Sequence, residues 1–259
     1  MLEPRSAYIH VPFCSHRCGY CNFTLISGRD DLIEAYLDAL EWELATTLNR
    51  PRRVDTIFLG GGTPTHLPPV QLQRLLKIVA RWLELDRMGE YSCEANPLDC
   101  TEPRLALLRE HGVNRLSLGG QSFSDRKLAM LERDHTGEEL AAILTRSAQY
   151  FDNISLDLIF AAPGETMAEW QADVRRAQEI PIRHLSTYGL TIERGSAFYG
   201  RMLKQELREL PSELQLEMYE HVMQVMHHRK WRHYEVSNFA EAGFQCRHNE
   251  DYWLGALWW

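Results

Sequence analysis

Short apolar runs and helical stripes of apolar residues alternate along this chain. Residues 6–12, centred on Tyr8-Ile9-His10-Val11, read as a buried strand. Residues 31–48 put Leu32, Ile33, Tyr36, Leu37, Leu40 and Leu44 on one side of an amphipathic helix. A second strand is predicted at 54–59, then a helix over about 70–84. A third strand follows at 90–94, with a helix around 102–111 closed by Gly112. The fourth strand is predicted at 115–118, before helical stretches at about 124–131 and 137–149. The fifth spans 154–160 and precedes a helix over 167–178; the sixth spans 184–188. Six strand–helix units in a row predict an α/β fold, a parallel sheet curled into a partial (β/α)6 TIM-like barrel. After residue 195 the order changes to a helix over about 211–228, a short strand at 233–236 and an irregular aromatic tail. The expected organisation is thus a barrel core over 1–195 and a smaller region over 196–259.

Chemically capable residues recur at one place in this pattern, the carboxyl end of each strand. Cys14-Ser15-His16-Arg17-Cys18-Gly19-Tyr20-Cys21 follows the first strand, and Gly60-Gly61-Gly62-Thr63-Pro64 follows the second. Glu94 ends the third, Gln121 lies just past the fourth, and Asp157 lies within the fifth. Ligands of such barrels bind where the βα loops gather, so these features are expected at one mouth.

Three thiols within eight residues can converge on one metal centre. Three thiolates on an iron–sulfur cube leave one iron open to a further ligand. A zinc site of the three cysteines with His16 is the alternative, although structural zinc usually takes two separated ligand pairs. A disulfide framework is disfavoured, because six cysteines in 259 residues is ordinary density and no signal peptide opens the chain. Phe13, Tyr20 and Phe23 are expected to keep water from such a centre. The glycine run lets backbone approach a ligand, or makes a tight turn. Glu94 suits a pair of sugar hydroxyls, or is a solvated strand-end acid. Arg133 suits a carboxylate, or is a helix-end charge. Asp157, among apolar neighbours, needs a partner if buried.

Composition narrows the class. The chain is 44% hydrophobic and 25% charged, with a net charge of −8. That balance argues against extended binding to a nucleic-acid backbone. No apolar run reaches the ~20 residues of a membrane span, and a cytoplasmic location is expected. The sequence leaves a homodimer open.

The segment from Tyr8 through the C-x3-C-x2-C cysteines, the Gly-Gly-Gly-Thr-Pro loop and Glu94-Ala95-Asn96-Pro97 together resemble the radical S-adenosylmethionine superfamily. The stretches 116–123 and 157–164 are similar to one branch of it, the oxygen-independent coproporphyrinogen III oxidases and the related HemW-type heme chaperones. The oxidases carry a further cysteine two residues after the last cluster cysteine, where this chain has Phe23. The chaperones carry a His-Asn-x-x-Tyr-Trp signature, and this chain has His248-Asn249-Glu250-Asp251-Tyr252-Trp253.

The resemblance implies a [4Fe–4S] cluster on Cys14, Cys18 and Cys21, with S-adenosylmethionine on the fourth iron. Tyr8, Gly61, Gly62, Thr63 and Glu94 match positions lining that cofactor. Gln121, Arg133 and Asp157 match positions that hold a second S-adenosylmethionine in the oxidases, near the position of Gly189. His248 would be an axial heme ligand, and Tyr252 and Trp253 an apolar wall. Cys93, Cys100 and Cys246 match no cluster position and read as packing residues, although Cys246 lies near enough to His248 to rival it for iron. The implied activity is heme delivery to acceptor proteins, with an electron donor serving the cluster. The alternatives are a radical oxidoreductase acting on a porphyrinogen and, with less support, an RNA-modifying radical enzyme. Relatives continue past Tyr252-Trp253 into a further domain of roughly a hundred residues, so that C-terminal domain is expected to be largely absent.

Overall fold

The computed structural model describes residues 3–259. In chain order the elements are β1 (Ser6–Val11), β2 (Phe13–Cys14), β3 (Ile26–Ser27), α1 (Ile33–Leu48), β4 (Arg52–Gly61), α2 (Pro69–Trp82), β5 (Leu83–Ala95) and α3 (Glu102–Glu110). They continue with β6 (Arg115–Gln121), α4 (Asp125–Met130), α5 (Gly137–Ser147), β7 (Asn153–Phe160), α6 (Met167–Glu179), β8 (His184–Gly189) and α7 (Ala197–Leu203). The chain closes with α8 (Ser212–His228), β9 (Arg232–His233), β10 (Asn238–Ala240) and α9 (Arg247–Trp253). The six predicted strands are present as β1, β4, β5, β6, β7 and β8.

The chain divides into two compact units, and the crossing falls inside β6. The first holds residues 1–16, 24–117 and 246–259; the second holds 17–23 and 118–245. Residue 195, the expected end of the core, lies inside the second unit.

In the first unit β4 is flanked by β1 and β5, both parallel to it. Leu37, Leu40 and Leu44 of α1 and Leu72, Leu75, Leu76 and Val79 of α2 are buried, one apolar stripe per helix. The third strand is longer than its sequence suggests. β5 begins at Leu83, directly after α2, and pairs Leu83 with Arg52. The predicted helix to residue 84 is therefore cut short. The polar stretch 84–88 hid this strand, because half-exposed side chains break the apolar alternation.

The aromatic tail is also ordered. Residues 247–253 form α9, and Trp258 bridges in parallel to Ser6. Trp259 N–H donates to Ser6 O at 2.8 Å, and Tyr8 N–H donates to Trp259 O at 3.2 Å. The tail thus satisfies backbone groups along β1 that an edge strand leaves unpaired.

In the second unit β7 and β8 are parallel, and β10 runs antiparallel to both β8 and β9. The strand predicted at 233–236 is a correction: β9 stops at His233, the chain turns, and pairing resumes at Asn238. Trp170 is fully buried and its Nε1–H donates to Met218 O of α8 at 2.7 Å. Helix α7 was not predicted. Its single fully buried side chain, Phe198, is too little for a periodic signal, yet it packs with Leu131, Ile159 and Leu190.

Candidate functional site

In the first unit the glycine loop is bonded to the segment that leads into the cysteines. Gly62 N–H donates to Val11 O at 2.8 Å and Thr63 N–H to Phe13 O at 2.8 Å. A β-carbon on Gly62 would lie 2.7 Å from Phe13 O and 2.8 Å from Pro12 C, so no side chain fits there. Gly61 has φ of +108°, a conformation glycine adopts without strain. Its N–H donates to Glu94 Oε2 at 3.0 Å. The Cys14 sulfur lies 3.2 Å from Thr63 Oγ1. The Tyr8 hydroxyl is 3.3 Å from His10 Nδ1, and burial, assisted by the Glu94 charge, pushes that phenol well above its ordinary value.

Helix α9 packs in the same unit and is held at both ends by side chains from strands. At its start, Glu90 of β5 is buried and accepts from Arg247 N–H at 3.0 Å and His248 N–H at 3.4 Å. These are backbone donors that a helix start leaves without partners. Near its other end, Asp251 accepts from Ser6 Oγ of β1 and from Thr56 Oγ1 of β4. Between them His248 is 2% exposed. Its ring stacks on Phe58 at 5.2 Å and lies 6.3 Å from the Tyr8 ring. Its Nδ1 is 2.9 Å from Thr56 Oγ1, and its Nε2 is 3.4 Å from the Tyr252 hydroxyl.

These partners assign the tautomer. Asp251 is an acceptor, so the Thr56 hydroxyl donates to it and receives the His248 Nδ1–H. Nε2 then carries the lone pair, the form in which imidazole binds a metal. Burial lowers the His248 pKa against the pull of Glu90 and Asp251, which keeps the ring neutral. The Tyr252 hydroxyl faces that nitrogen. Tyr252 and Trp253 are exposed.

In the second unit Cys18 and Cys21 lie on the loop 17–23. Cys21 N–H donates to Cys18 O at 2.9 Å, a tight turn between the two cysteines. Arg133, just beyond α4, donates from Nη2 to Gly119 O at 2.9 Å and from Nη1 to the Cys18 sulfur at 3.6 Å. Burial raises the Cys21 thiol. Gln121, the last residue of β6, holds φ of +65°, a strained value for a side-chain-bearing residue. Asp157 is half-buried in β7, with Ser155 Oγ at 3.5 Å.

The structure brings together Tyr8, Cys14, Gly61, Gly62, Thr63 and Glu94 with His248, Tyr252 and Trp253 in the first unit. Cys18, Cys21, Gln121, Arg133 and Asp157 belong to the second. Among the described residues no three His, Cys, Asp or Glu side chains form a preassembled metal group. Phe13 is buried and Tyr20 half-buried. Phe23, unlike them, is 66% exposed. Cys246 is fully buried and its thiol donates to Glu90 Oε1 at 3.5 Å. Burial pushes that thiol far up, which favours the protonated form over a metal-binding thiolate. Cys93 and Cys100 are buried as well.

The donor sets suit the cofactors that the sequence implies. All six cysteines are free thiols, and soft thiolates select iron–sulfur centres. Beside Cys14 and Cys18 stand a hydroxyl and a guanidinium, groups that stabilise negative charge on sulfur. The glycine run is packed by its own neighbours, with the His10 ring against Gly61 and the main chain of residues 11–13 against Gly62, and the Glu94 carboxylate beside it suits ribose hydroxyls. Sequence reading missed Thr56, Glu90 and Asp251. Glu90 had one visible signal, an acid at the head of the apolar run 91–93. Thr56 in a strand and Asp251 in a polar stretch had none.

A sequence profile of the radical SAM superfamily matches residues 8–177. The chain belongs to the radical SAM superfamily. It is 40% identical over 253 residues to a Bacillus subtilis protein named heme chaperone HemW, covering 96% of this chain and 67% of that one. A Synechocystis protein of the same name is 35% identical over 259 residues, covering 97% and 63%. The chain thus spans about two thirds of the length of these curated relatives. The structure of the Escherichia coli coproporphyrinogen III oxidase, HemN, superposes with a TM-score of 0.84 at 25% identity, over 94% of this chain and 57% of that one. The α/β fold with a mostly parallel sheet is therefore the radical SAM fold. Among the described residues no helix is long and apolar enough to cross a membrane.

Proposed function

We propose that this chain is the cluster-bearing and heme-binding part of a HemW-like heme chaperone. The observation that carries the reading is α9. It presents a His-Asn-x-x-Tyr-Trp segment in the first unit, with the histidine in its metal-binding tautomer beside Tyr8. Relatives similar to this chain along nearly its whole length carry the heme chaperone name.

In this reading Cys14, Cys18 and Cys21 hold a [4Fe–4S] cluster through the spacing of their motif. Tyr8, Gly61, Gly62, Thr63 and Glu94 would hold S-adenosylmethionine at the cluster's open iron. The cluster with that cofactor supplies one-electron chemistry at a sulfonium. The chain's own residues orient and dry the site: Thr63 bonds Cys14, Phe13 excludes water, and Gly62 lets the segment 11–13 pack directly on the glycine loop. His248, Tyr252 and Trp253 would hold a heme, with the imidazole as its iron ligand and the aromatic pair as its apolar wall. Delivery to acceptor proteins in the cytoplasm, with an electron donor for the cluster, completes the role.

The test is heme titration of the reconstituted protein. A Soret band is expected that weakens in His248→Ala. An unchanged band removes His248 from the site. The likeness to HemN favours a second reading, oxidation of a porphyrinogen. Product formed from coproporphyrinogen III under anaerobic conditions would favour it over the first.

A further inference from the structure

Arg133 stands where the sequence resemblance expects a clamp for a cofactor carboxylate, but in this structure it engages a sulfur. Its Nη1 points at Cys18 Sγ, 3.6 Å away, while Nη2 is tied to Gly119 O at 2.9 Å. The backbone aims it there. Helix α4 ends at Met130, and Glu132 turns the chain with φ of +56°, left-handed for a residue that is not glycine. Glu132 N–H returns to Ala129 O at 3.2 Å and Arg133 N–H to Leu128 O at 2.9 Å, closing the helix end. Such strain persists where surrounding structure fixes it, and it clusters at functional sites. The reversal brings Glu132 O within 3.8 Å of the same sulfur. A guanidinium stays charged in proteins, so the group facing the sulfur is a cation.

We propose that Arg133 is a positioning and tuning residue for the iron–sulfur cluster, setting its reduction potential through a charged hydrogen bond to the Cys18 sulfur. This rests on the cluster assignment above and goes beyond it. Hydrogen bonds to cluster sulfurs and nearby charge are among the levers that set such potentials. Reduction adds one electron from a low-potential one-electron donor and makes the cluster more negative by one charge. A buried cation at the ligand sulfur favours that state, because little solvent screens it. Arg133 therefore makes the cluster easier to reduce before S-adenosylmethionine arrives. On this account Cys18 is the thiolate held electrostatically, and Cys14, facing the neutral Thr63 hydroxyl, is not.

The experiment is a dithionite redox titration of the reconstituted full chain, followed by electron paramagnetic resonance, with and without S-adenosylmethionine. Arg133→Met is expected to be at least tenfold harder to reduce without the cofactor, a shift of about 59 mV for one electron. Arg133→Lys should recover part of the shift, since it keeps the charge but not the fork. Arg126→Ala, which removes an exposed ion pair with Glu169, should leave the potential unchanged. If the Met variant takes up no cluster, Arg133→Gln, which keeps N–H donors without the charge, carries the same test. A variant potential equal to wild type without the cofactor overturns the proposal, and weaker S-adenosylmethionine binding alongside it would make Arg133 a carboxylate clamp instead. A wild-type protein without iron and sulfide would overturn the cluster assignment, and with it this proposal, a distinct result.

Discussion

His248 Nδ1 lies 2.9 Å from Thr56 Oγ1, joining residues 192 apart in sequence. This one bond places a C-terminal helix against the second strand of the parallel sheet. It also leaves the ring's other nitrogen as the one able to bind a metal. Thr56→Val should keep the ring buried but release its tautomer. Heme affinity is expected to fall about fivefold, the worth of a net hydrogen bond near 1 kcal/mol. A heme titration of the two proteins checks it, and equal affinity would detach Thr56 from binding.

The Tyr252 hydroxyl lies 3.4 Å from His248 Nε2 and competes for the same lone pair. Tyr252→Phe removes the competitor and keeps the aromatic wall. It should bind heme several-fold more tightly, again on the scale of one hydrogen bond of about 1 kcal/mol. Weaker binding by this variant would mean the hydroxyl itself contacts the ligand.

Stability should fall in acid partly through His248. Burial depresses its pKa below the ordinary 6.5, so the unfolded chain binds a proton that the folded chain refuses. The contribution is complete above about pH 6.5 and is lost as pH falls through the folded value. His135, also lowered by burial, adds to the same slope. Chemical denaturation at several pH values should show a shallower slope for His248→Gln than for wild type; identical slopes would refute the assignment.

Glu90 caps α9 from inside the core. Glu90→Gln weakens charge-assisted bonds to two backbone donors and to the Cys246 thiol, a loss of about 2 kcal/mol. Besides a lower unfolding midpoint, Cys246 should label faster with a thiol reagent in the native protein. Unaltered labelling would show that α9 stays docked without this carboxylate.

The sheet and most of the site were legible in the sequence because their signals are local. Strands β1, β4 and β7 are apolar runs, and cysteines or glycines at their ends mark the loops. The network around α9 was not legible. Glu90, Thr56 and Ser6 act on a segment more than a hundred residues away, and no periodicity links a strand threonine to a distant histidine. The core of the second unit hid for a related reason. Lys127 in α4 reads as a surface charge, yet it is buried against Glu165 and against Asp173 at 3.1 Å. Only tertiary structure brings those acids to it. Its removal in Lys127→Met should cost about 3–5 kcal/mol, because two carboxylates lose their cation; a denaturation midpoint near wild type would contradict that.

The central claim is that three cysteines near the N-terminus carry a cluster with one iron open to S-adenosylmethionine. Anaerobic reconstitution with iron and sulfide, then electron paramagnetic resonance of the reduced protein, tests it most directly. About four irons and four sulfides per chain are expected, with a signal that changes on adding S-adenosylmethionine and is absent from Cys14→Ala, Cys18→Ala and Cys21→Ala. Zinc as the sole bound metal, or a signal indifferent to that cofactor, would contradict the account.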